Sequence, residues 1–447
     1  MNHREKATAI RLLDFQSVPM RAFHMSWLAF FLCFFGWFGL APLMPVIREE
    51  LQLTKEQIAN TIIASVAITV VARLLIGWLC DRFGPRRTYA CLLVVGALPV
   101  MGAGLAHDYT SFLLVRLAIG AIGASFVVTQ FHTSVMFAPN IVGTANATAA
   151  GWGNLGGGVT QAVMPMLFGG FLALGAGAWW SWRLAMIVPG LAMLVTGIAY
   201  YFLTQDTPAG AWTGGAAAVD PRVARRNASA AFRAACRDRR VWALAVLYAC
   251  CFGMELTIDN IAAMYFVDTF GLSLGTAGLI AATFGLMNLF ARALGGIVSD
   301  HCHILWGLRG RAILLGTTIA LEGIALVCFS QSSWLPAAVG CMLLTGLFVK
   351  MSNGATYAIV PFVNKKALGA VAGIVGAGGN LGAVLAGFLF KTSLIWPQAF
   401  LILGVLVGLT ASLALLLKFS PVDEHTAREE MRMRMRPILE PATVGGD

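Results

Sequence analysis

The sequence has very little charge for its size. Asp, Glu, Lys and Arg make up 12% of its 447 residues, whereas hydrophobic residues make up 58%. A soluble protein would carry about 25% charged residues. The apolar residues come in runs of roughly 20, which is long enough to cross the ~30 Å of hydrocarbon in a bilayer. The composition therefore excludes a soluble globular protein and indicates a helical protein that spans the membrane several times.

The sequence also lacks the motifs of several other functions. The nine cysteines lie mostly within apolar runs and show no zinc-ligand spacing, so we expect no metal and no other cofactor. No HExxH, GxSxG or clustered acids occur in the spans, which argues against an enzyme. The N-terminus lacks the apolar core of a signal peptide. The net charge of +10 comes from basic loops, which indicates membrane orientation and not nucleic-acid binding.

The apolar runs predict an all-α membrane protein with twelve transmembrane helices in two six-helix bundles. Basic clusters fall in every second loop and at both ends, so the positive-inside rule places both termini in the cytoplasm. The predicted units are a cytoplasmic N-terminus (1–23), a first bundle (24–204), a cytoplasmic central loop (205–240), a second bundle (241–419) and a cytoplasmic tail (420–447).

Two arginines lie inside apolar runs at matching positions of the two halves. Arg73 comes eight residues before Asp81, and Arg292 comes eight residues before Asp300. Eight residues of helix rise about 12 Å, which places both guanidinium groups near mid-membrane, where charge is costly and usually marks a substrate path. Facing guanidinium groups would repel each other unless an anion lay between them, and their planar forks suit a small oxyanion. The alternative is that each arginine is paired with a carboxylate or with carbonyl groups.

A second repeat, Gly-Asn-Leu-Gly, occurs at 153–156 in span five and at 379–382 in span eleven. Glycines in membrane helices mostly serve close packing. Here each run also carries a buried amide, and glycine would let a small ion approach the backbone, so both interpretations stay open. Matching repeats in equivalent spans indicate a duplicated transporter with its site between the halves. The candidate ligands in these repeats are Gly153, Asn154, Gly379 and Asn380.

Three further groups of residues are candidates for a role in transport. Aromatics at helical spacing are more often core than site, and an intramembrane histidine is more often structural than a proton carrier. The candidate aromatics are Phe126, Tyr248 and Phe252; the candidate proton carriers are Glu255, Asp259 and His132; and the predicted gating motif at the cytoplasmic ends of spans two and eight comprises Gly77, Asp81, Arg82, Arg86, Arg87 and Asp300.

These features resemble the major facilitator superfamily and, more narrowly, its nitrate/nitrite porter family. AAGWGNLGGGVTQAVMPMLF (149–168) is similar to the first nitrate signature of that family, and GIVGAGGNLGAVLAGFLF (373–390) is similar to the second. Segments 252–266, 283–300 and 353–363 are similar to the assimilatory branch, which includes plant and cyanobacterial high-affinity nitrate transporters. The resemblance implies the major facilitator fold. It also implies that the two arginines and the two signature asparagines bind the anion, with the three candidate aromatics around it.

Arg116 on span four is similar to the intramembrane arginine of the proton-driven branch of the superfamily. A charge at a helix end is an equally good interpretation.

The resemblance further implies a secondary active transporter of nitrate, and also of nitrite, that works by alternating access in a bacterial inner membrane. An anion that enters a cell negative inside climbs about 2.3 kcal/mol per 100 mV, so uptake needs coupling. The assimilatory similarity favours proton symport; exchange for internal nitrite is the alternative. Two other functions stay open, a porter of another small anion and an anion channel. We expect a monomer that contacts membrane lipid and binds no nucleic acid.

Overall fold

The computed structural model describes residues 6–138, 141–212, 221–364, 367–425, 427 and 429, with the backbone alone for residues 221–228. The first five residues of the predicted N-terminus and most of the predicted tail 420–447 lie outside the described residues. So do Lys365 and Lys366, which contribute to one of the basic loops.

The described residues form twelve helices that are long and apolar enough to cross a membrane. This confirms the predicted all-α membrane fold. In chain order the helices are α1 (Val18–Phe38), α2 (Lys55–Phe83), α3 (Pro85–Leu105), α4 (Tyr109–Met136), α5 (Val142–Ala173), α6 (Gly177–Leu203), α7 (Arg239–Phe270), α8 (Leu274–Trp306), α9 (Leu308–Ser330), α10 (Leu335–Val363), α11 (Leu368–Phe390) and α12 (Trp396–Leu416).

Several helix bounds differ from the predicted spans. The first helix begins at Val18 and not at residue 24, because Pro19 occupies its first turn, where proline's missing N–H costs no hydrogen bond. The predicted loop 205–240 contains a further helix, Pro221–Arg237. The eighth helix runs on to Trp306, so Asp300 lies within it. Hydropathy detects the apolar part of a helix and misses its polar extensions, which explains these differences.

Equivalent caps start the two helices that carry the intramembrane arginines. The Thr54 side chain accepts a hydrogen bond from the backbone N–H of Gln57 at the start of α2, and the Ser273 side chain accepts one from Thr276 at the start of α8. Such caps satisfy backbone donors that the first turn leaves unpaired. Arg73 and Arg292 each lie 19 residues after their cap, so the two halves present them at the same depth.

The two halves touch closely where α5 meets α8. A Cβ added to Gly158 would lie 2.5 Å from the carbonyl carbon of Gly285, and one added to Gly285 would overlap the backbone of Gly158. Glycine at both positions allows the two backbones to pack directly against each other. The seam between the halves is therefore tight at mid-membrane.

Polar contacts between the halves, among the described residues, lie at mid-membrane or at the end of the molecule where α1 ends and α2 begins, which we call the closed end. Arg48, in a short helix Met44–Glu50 that follows α1, forms an ion pair with Asp268, and Glu56 forms one with Lys391 at 3.1 Å. At the opposite end, which we call the open end, the described residues form no hydrogen bond or ion pair between the halves. In the part of the chain that the structure describes, polar contacts thus join the halves at the closed end and at mid-membrane but not at the open end.

Candidate functional site

A small cavity lies between the two halves at mid-membrane. Its volume is about 10 Å³, roughly the room that one water-sized molecule needs. Both halves contribute to its wall, which contains two guanidinium groups, one amide and six aromatic rings and has no carboxylate. The lining residues are Phe30, Phe34, Arg73, Phe126, Asn154, Tyr248, Phe252, Arg292 and Tyr357.

The two arginines in this cavity have only neutral partners. Arg73 Nη1 donates to the carbonyl oxygen of Gly376 at 3.4 Å, and Arg292 Nη2 donates to the hydroxyl of Tyr248 at 3.2 Å. Among the described residues, no carboxylate lies within ion-pair distance of either guanidinium, and Arg73 Nε has no hydrogen-bond partner. Neither arginine is thus paired with a carboxylate in this part of the chain, whereas Arg73 is paired with a carbonyl group, which is one form of the alternative we considered. The lining of the cavity therefore contains two guanidinium groups and no carboxylate.

Aromatic rings flank both guanidinium groups. The Arg73 guanidinium carbon lies 5.6 Å from the centre of the Phe126 ring, and that of Arg292 lies 5.9 Å from the Phe252 ring. Tyr248 and Phe252 are four residues apart on α7 and share a face, so their rings stack at 5.2 Å with an interplanar angle of 5°. The three aromatics predicted from the sequence thus line the same cavity, Phe126 from the first half and Tyr248 and Phe252 from the second.

The signature glycines lie behind this wall and not at the cavity surface. A Cβ added to Gly153 would overlap the ring of Phe30, and one added to Gly379 would lie 2.7–2.8 Å from the rings of Phe252 and Tyr248. Neither glycine lines the cavity. The prediction that they let the anion approach the backbone is therefore corrected: their lack of a side chain makes room for the aromatic rings.

The two signature asparagines occupy different positions. Asn154 is 2% exposed, lines the cavity, and its Oδ1 has no partner. Asn380 does not line the cavity; its Nδ2 donates to the carbonyl oxygen of Gly376 at 3.4 Å. That carbonyl also accepts from Arg73. The structure therefore places Asn154 in direct reach of a ligand and Asn380 one contact away.

Two of the three candidate proton carriers lie together on α7, one turn beyond Phe252. Glu255 is 2% exposed; its carboxylate accepts from Asn288 at 2.7 Å and from Asn353 at 2.5 Å, and it lies 3.2 Å from the Lys350 ammonium. Asp259 follows one turn later, and its Oδ1 has no partner. A buried network therefore adjoins the cavity.

This network holds more acid than base. Lys350 is fully buried, and its ammonium also lies 4.1 Å from the centre of the Phe284 ring. Glu322 on α9 is fully buried too, and neither of its carboxylate oxygens has a hydrogen-bond partner. One lysine thus accompanies three buried carboxyl groups, Glu255, Asp259 and Glu322.

His132, the third candidate proton carrier, lies in a separate polar cluster on α4. Its Nδ1 is 2.5 Å from the hydroxyl of Tyr200, and its Nε2 is 2.7 Å from the carbonyl oxygen of Gln205. Tyr200 in turn is hydrogen-bonded to Ser26 at 2.9 Å. Both ring nitrogens are occupied, and His132 is absent from the lining of the central cavity.

The residues of the predicted gating motif lie at the open end. In the part of the chain that the structure describes, they form hydrogen bonds and ion pairs only within their own halves or, for Asp81 and Arg86, with the segment that follows α6. Arg86 Nε donates to the Tyr201 carbonyl oxygen at 2.6 Å, and its backbone N–H donates to Asp206; burial raises the pKa of the Asp206 carboxyl. Arg311 pairs with Asp300 at 2.6 Å. The side chains of Asp81, Arg82 and Arg87 are exposed, and Gly77 is half-buried.

A second, larger cavity of about 340 Å³ lies at the closed end. Its wall is mostly apolar and includes Arg48, Lys55, Asp268 and Trp396. Lys55 Nζ donates to the carbonyl oxygen of Leu394. Because Arg48 is already paired with Asp268, the charges in this cavity are mostly neutralised, and it is a poorer anion site than the central cavity.

Sequence reasoning missed two polar residues of the site. Tyr357 lines the central cavity, and its ring packs edge-on against Tyr248 at 5.2 Å. A tyrosine in an apolar span does not by itself indicate a site residue, so the sequence could not single it out. Lys350, like the two arginines, is a charged residue inside an apolar run, so it could have been predicted from the sequence.

Comparison with known proteins finds a transporter superfamily and, among the relatives, nitrate transporters. The model of the family described as Major Facilitator Superfamily matches residues 26–308 and again 257–444. The High affinity nitrate transporter 2.5 of Arabidopsis thaliana is 41% identical over 417 residues, which cover 93% of this chain and 83% of the relative. The Nitrate/nitrite transporter NrtP of Nostoc punctiforme is 30% identical, with 92% of this chain and 95% of the relative covered.

Solved structures are similar in fold. A bacterial homolog of the human lysosomal transporter Spinster, in an inward-facing and unoccupied conformation, has a TM-score of 0.67 at 15% identity and covers 94% of this chain and 98% of that one. At this identity the likeness concerns the fold alone.

Proposed function

The chain belongs to the major facilitator superfamily and, within it, to the family of the high-affinity nitrate transporters, and from this premise we propose that it transports nitrate, and also nitrite, by binding the anion between Arg73 and Arg292. The central cavity carries the proposal. It offers two guanidinium groups from opposite halves, each hydrogen-bonded to a neutral acceptor, and its lining includes no carboxylate. Each planar fork can donate to two oxygens of a small oxyanion, and the flat rings bracket a planar ion.

The closed and open ends support alternating access. The positive-inside rule places both termini in the cytoplasm of a bacterial cell, which assigns the open end to the cytoplasm and the closed end to the outside. A bound anion lies between Arg73 and Arg292, offsets the repulsion between them and lets the halves approach each other. Rocking of the two bundles about the central seam then exposes the cavity to the other side. The gating motif at the open end supplies the charges that join the halves in the opposite state.

We assign proton coupling to the network on α7. Three buried carboxyl groups share one lysine, Lys350, and in a low dielectric they do not all ionise together. Glu255 and Asp259 lie one and two turns beyond Phe252 on the same helix. A change in their charge therefore changes the electrostatic potential at the anion site. His132, whose ring nitrogens are both bonded, has the weaker support of the three candidates.

The apolar outer surface of the helices fits a protein that works as a monomer surrounded by lipid. Large hydrophobic side chains such as Leu74, Leu385 and Leu409 are more than half exposed, which is the normal environment of a lipid-facing residue. Exchange of nitrate for internal nitrite is the second mechanism on the same site. It requires no titrating group, and the buried network of Lys350 and Glu255 favours symport over it.

The deciding experiment measures nitrate uptake into proteoliposomes under an imposed inward proton gradient, with and without nitrite inside. The double variant Arg73→Lys/Arg292→Lys serves as the control for leak. Uptake driven by protons alone establishes symport, whereas uptake only with internal nitrite establishes exchange. Absence of saturable nitrate counterflow in both conditions would exclude a nitrate transporter, and unsaturable flux would indicate a channel. Competition by other small anions tests the substrate.

A further inference from the structure

A third buried arginine faces the seam between the halves without an anionic partner. Arg116 on α4 is 1% exposed. Its Nη2 donates to Asn260 Oδ1 at 3.0 Å, its Nη1 donates to the Trp37 carbonyl oxygen at 3.5 Å, and its Nε has no partner. No carboxylate of the described residues lies within ion-pair distance. A buried cation with neutral acceptors alone is costly, so some stage of the transport cycle is expected to supply a negative charge.

The position of Arg116 is halfway between the closed end and the central cavity. Its partner Asn260 lies on α7, which carries Asp268 of the outer ion pair eight residues further along and Phe252 of the central cavity eight residues back. Eight residues correspond to about 12 Å of helix. Arg48, Arg116 and Arg292 therefore contact α7 at successive levels, from the outside to the anion site.

The Arg116–Asn260 contact joins the first half to the second, as the Arg48–Asp268 pair does. When the outer end opens, α7 separates from the first half, and both contacts break. Arg48 then loses Asp268, and Arg116 loses Asn260 and keeps only the Trp37 carbonyl of its own half, so both guanidinium groups can face the newly opened route. Arg116 lies closer to the central cavity than Arg48 does, and unlike Arg48 it has no carboxylate partner among the described residues in the closed state.

We propose that Arg116 is a second, transient binding site for the same small oxyanion, occupied on the way from the outside to the central cavity. This inference rests on the proposed function and adds a step to it. The anion replaces the Asn260 oxygen at Arg116 while the outer end is open, and it moves on to Arg73 and Arg292 before the halves close. Return of Asn260 to Arg116 on closure then disfavours movement back.

The test uses Asn260→Asp, which places a fixed carboxylate where Arg116 now donates to a neutral oxygen. Arg116→Gln removes the cation, and Asn260→Ala is the matched control that removes the oxygen without adding charge. Half-saturation for nitrate–nitrate exchange is measured from the outer face in whole cells and from the inner face in inverted membrane vesicles. Thermal unfolding of each purified variant checks the fold, and Asn260→Asp carries the test if Arg116→Gln does not fold.

A transient outer site predicts an asymmetric effect. Asn260→Asp and Arg116→Gln raise the outer half-saturation concentration at least about tenfold, the loss of one charge-assisted hydrogen bond, and change the inner value less than about twofold. Asn260→Ala lowers the outer value, because the anion no longer has to displace the Asn260 oxygen from Arg116. The inference is overturned if the half-saturation concentration changes equally at both faces or at neither. It is also overturned if exchange is normal and only proton-driven uptake is lost, a result that would assign Arg116 to proton coupling.

The wild-type protein separates this inference from the function on which it rests. Lack of nitrate exchange by the wild type overturns the proposed function and the inference with it. Wild-type exchange with no asymmetry in the variants overturns the inference and leaves the central site standing.

Discussion

Arg48 and Asp268 form a bidentate ion pair that joins the two halves at the closed end, with Nη1–Oδ2 at 2.9 Å and Nη2–Oδ1 at 2.8 Å. Their side chains are 29% and 21% exposed. The bond is therefore screened by solvent only in part, and it contributes about 1 kcal/mol or less to closure. That is enough to shift the balance between the two states of the transporter without locking it.

We expect Asp268→Asn to favour the outward-open state by up to about fivefold. The readout is the labelling rate of a cysteine placed at Ser393, in the wall of the outer cavity, after the exposed Cys91 and Cys328 have been replaced. Lys391→Gln breaks the more exposed pair with Glu56 and should shift the rate less. Equal rates in wild type and Asp268→Asn would show that the pair does not contribute to closure.

Arg73→Lys and Arg292→Lys should each abolish nitrate transport. An ammonium keeps the charge but loses the planar fork that binds two oxygens at once. Uptake by reconstituted protein is the measurement, and Arg309→Lys, which changes an exposed arginine in the first turn of α9, is the control for the substitution itself. Near-normal uptake in either cavity variant would rule out the bidentate role.

Tyr248→Phe should raise the half-saturation concentration for nitrate about fivefold, the cost of about one hydrogen bond. The change removes the hydroxyl that accepts from Arg292 and keeps the ring stacked on Phe252. Tyr265→Phe alters a tyrosine on the same helix whose ring packs on Phe329, far from the cavity, and should leave transport unchanged. A matching effect of both variants would point to helix packing as the cause.

Lys350→Met and Glu255→Gln should each lower the unfolding temperature, because removal of one partner from a buried ion pair costs about 3–5 kcal/mol. The double variant removes both charges, and we expect it to regain most of the lost stability. Proton-driven uptake should stay absent in the double variant if the network couples protons. Recovery of proton-driven uptake together with stability would make the pair purely structural.

Gly158→Ala should slow transport, because a methyl group at this position meets the backbone of Gly285 and keeps the halves from closing. Each bundle can still fold, so we expect normal yield and a slower uptake rate at saturating nitrate. Gly170→Ala is the matched control on the same helix, since a Cβ there meets no atom within 4 Å. Unchanged uptake by Gly158→Ala would mean that the two backbones can move apart at this position without slowing transport.

The sequence by itself determined the membrane class, the twelve helices and the pair of arginines. Long apolar runs cross a bilayer as helices, because every backbone hydrogen bond must be made within the segment. A charged residue inside such a run is energetically costly and rare, so it is easily recognised in the sequence. The internal repeats placed Arg73 and Arg292 at equal depth, and the resemblance carried by the Gly-Asn-Leu-Gly segments gave the family to which the chain belongs.

Only the tertiary structure decided how those residues are used. Side chains that meet between helices are far apart in the chain, so their contacts leave no local pattern. Gly153 and Gly379 turned out to make room for aromatic rings, and Asn380 bonds to a helix carbonyl. The partners of Lys350 and Arg116 lie on α7, more than 90 and 140 residues away along the chain. Packing in three dimensions, and not sequence spacing, brings these charges to the seam.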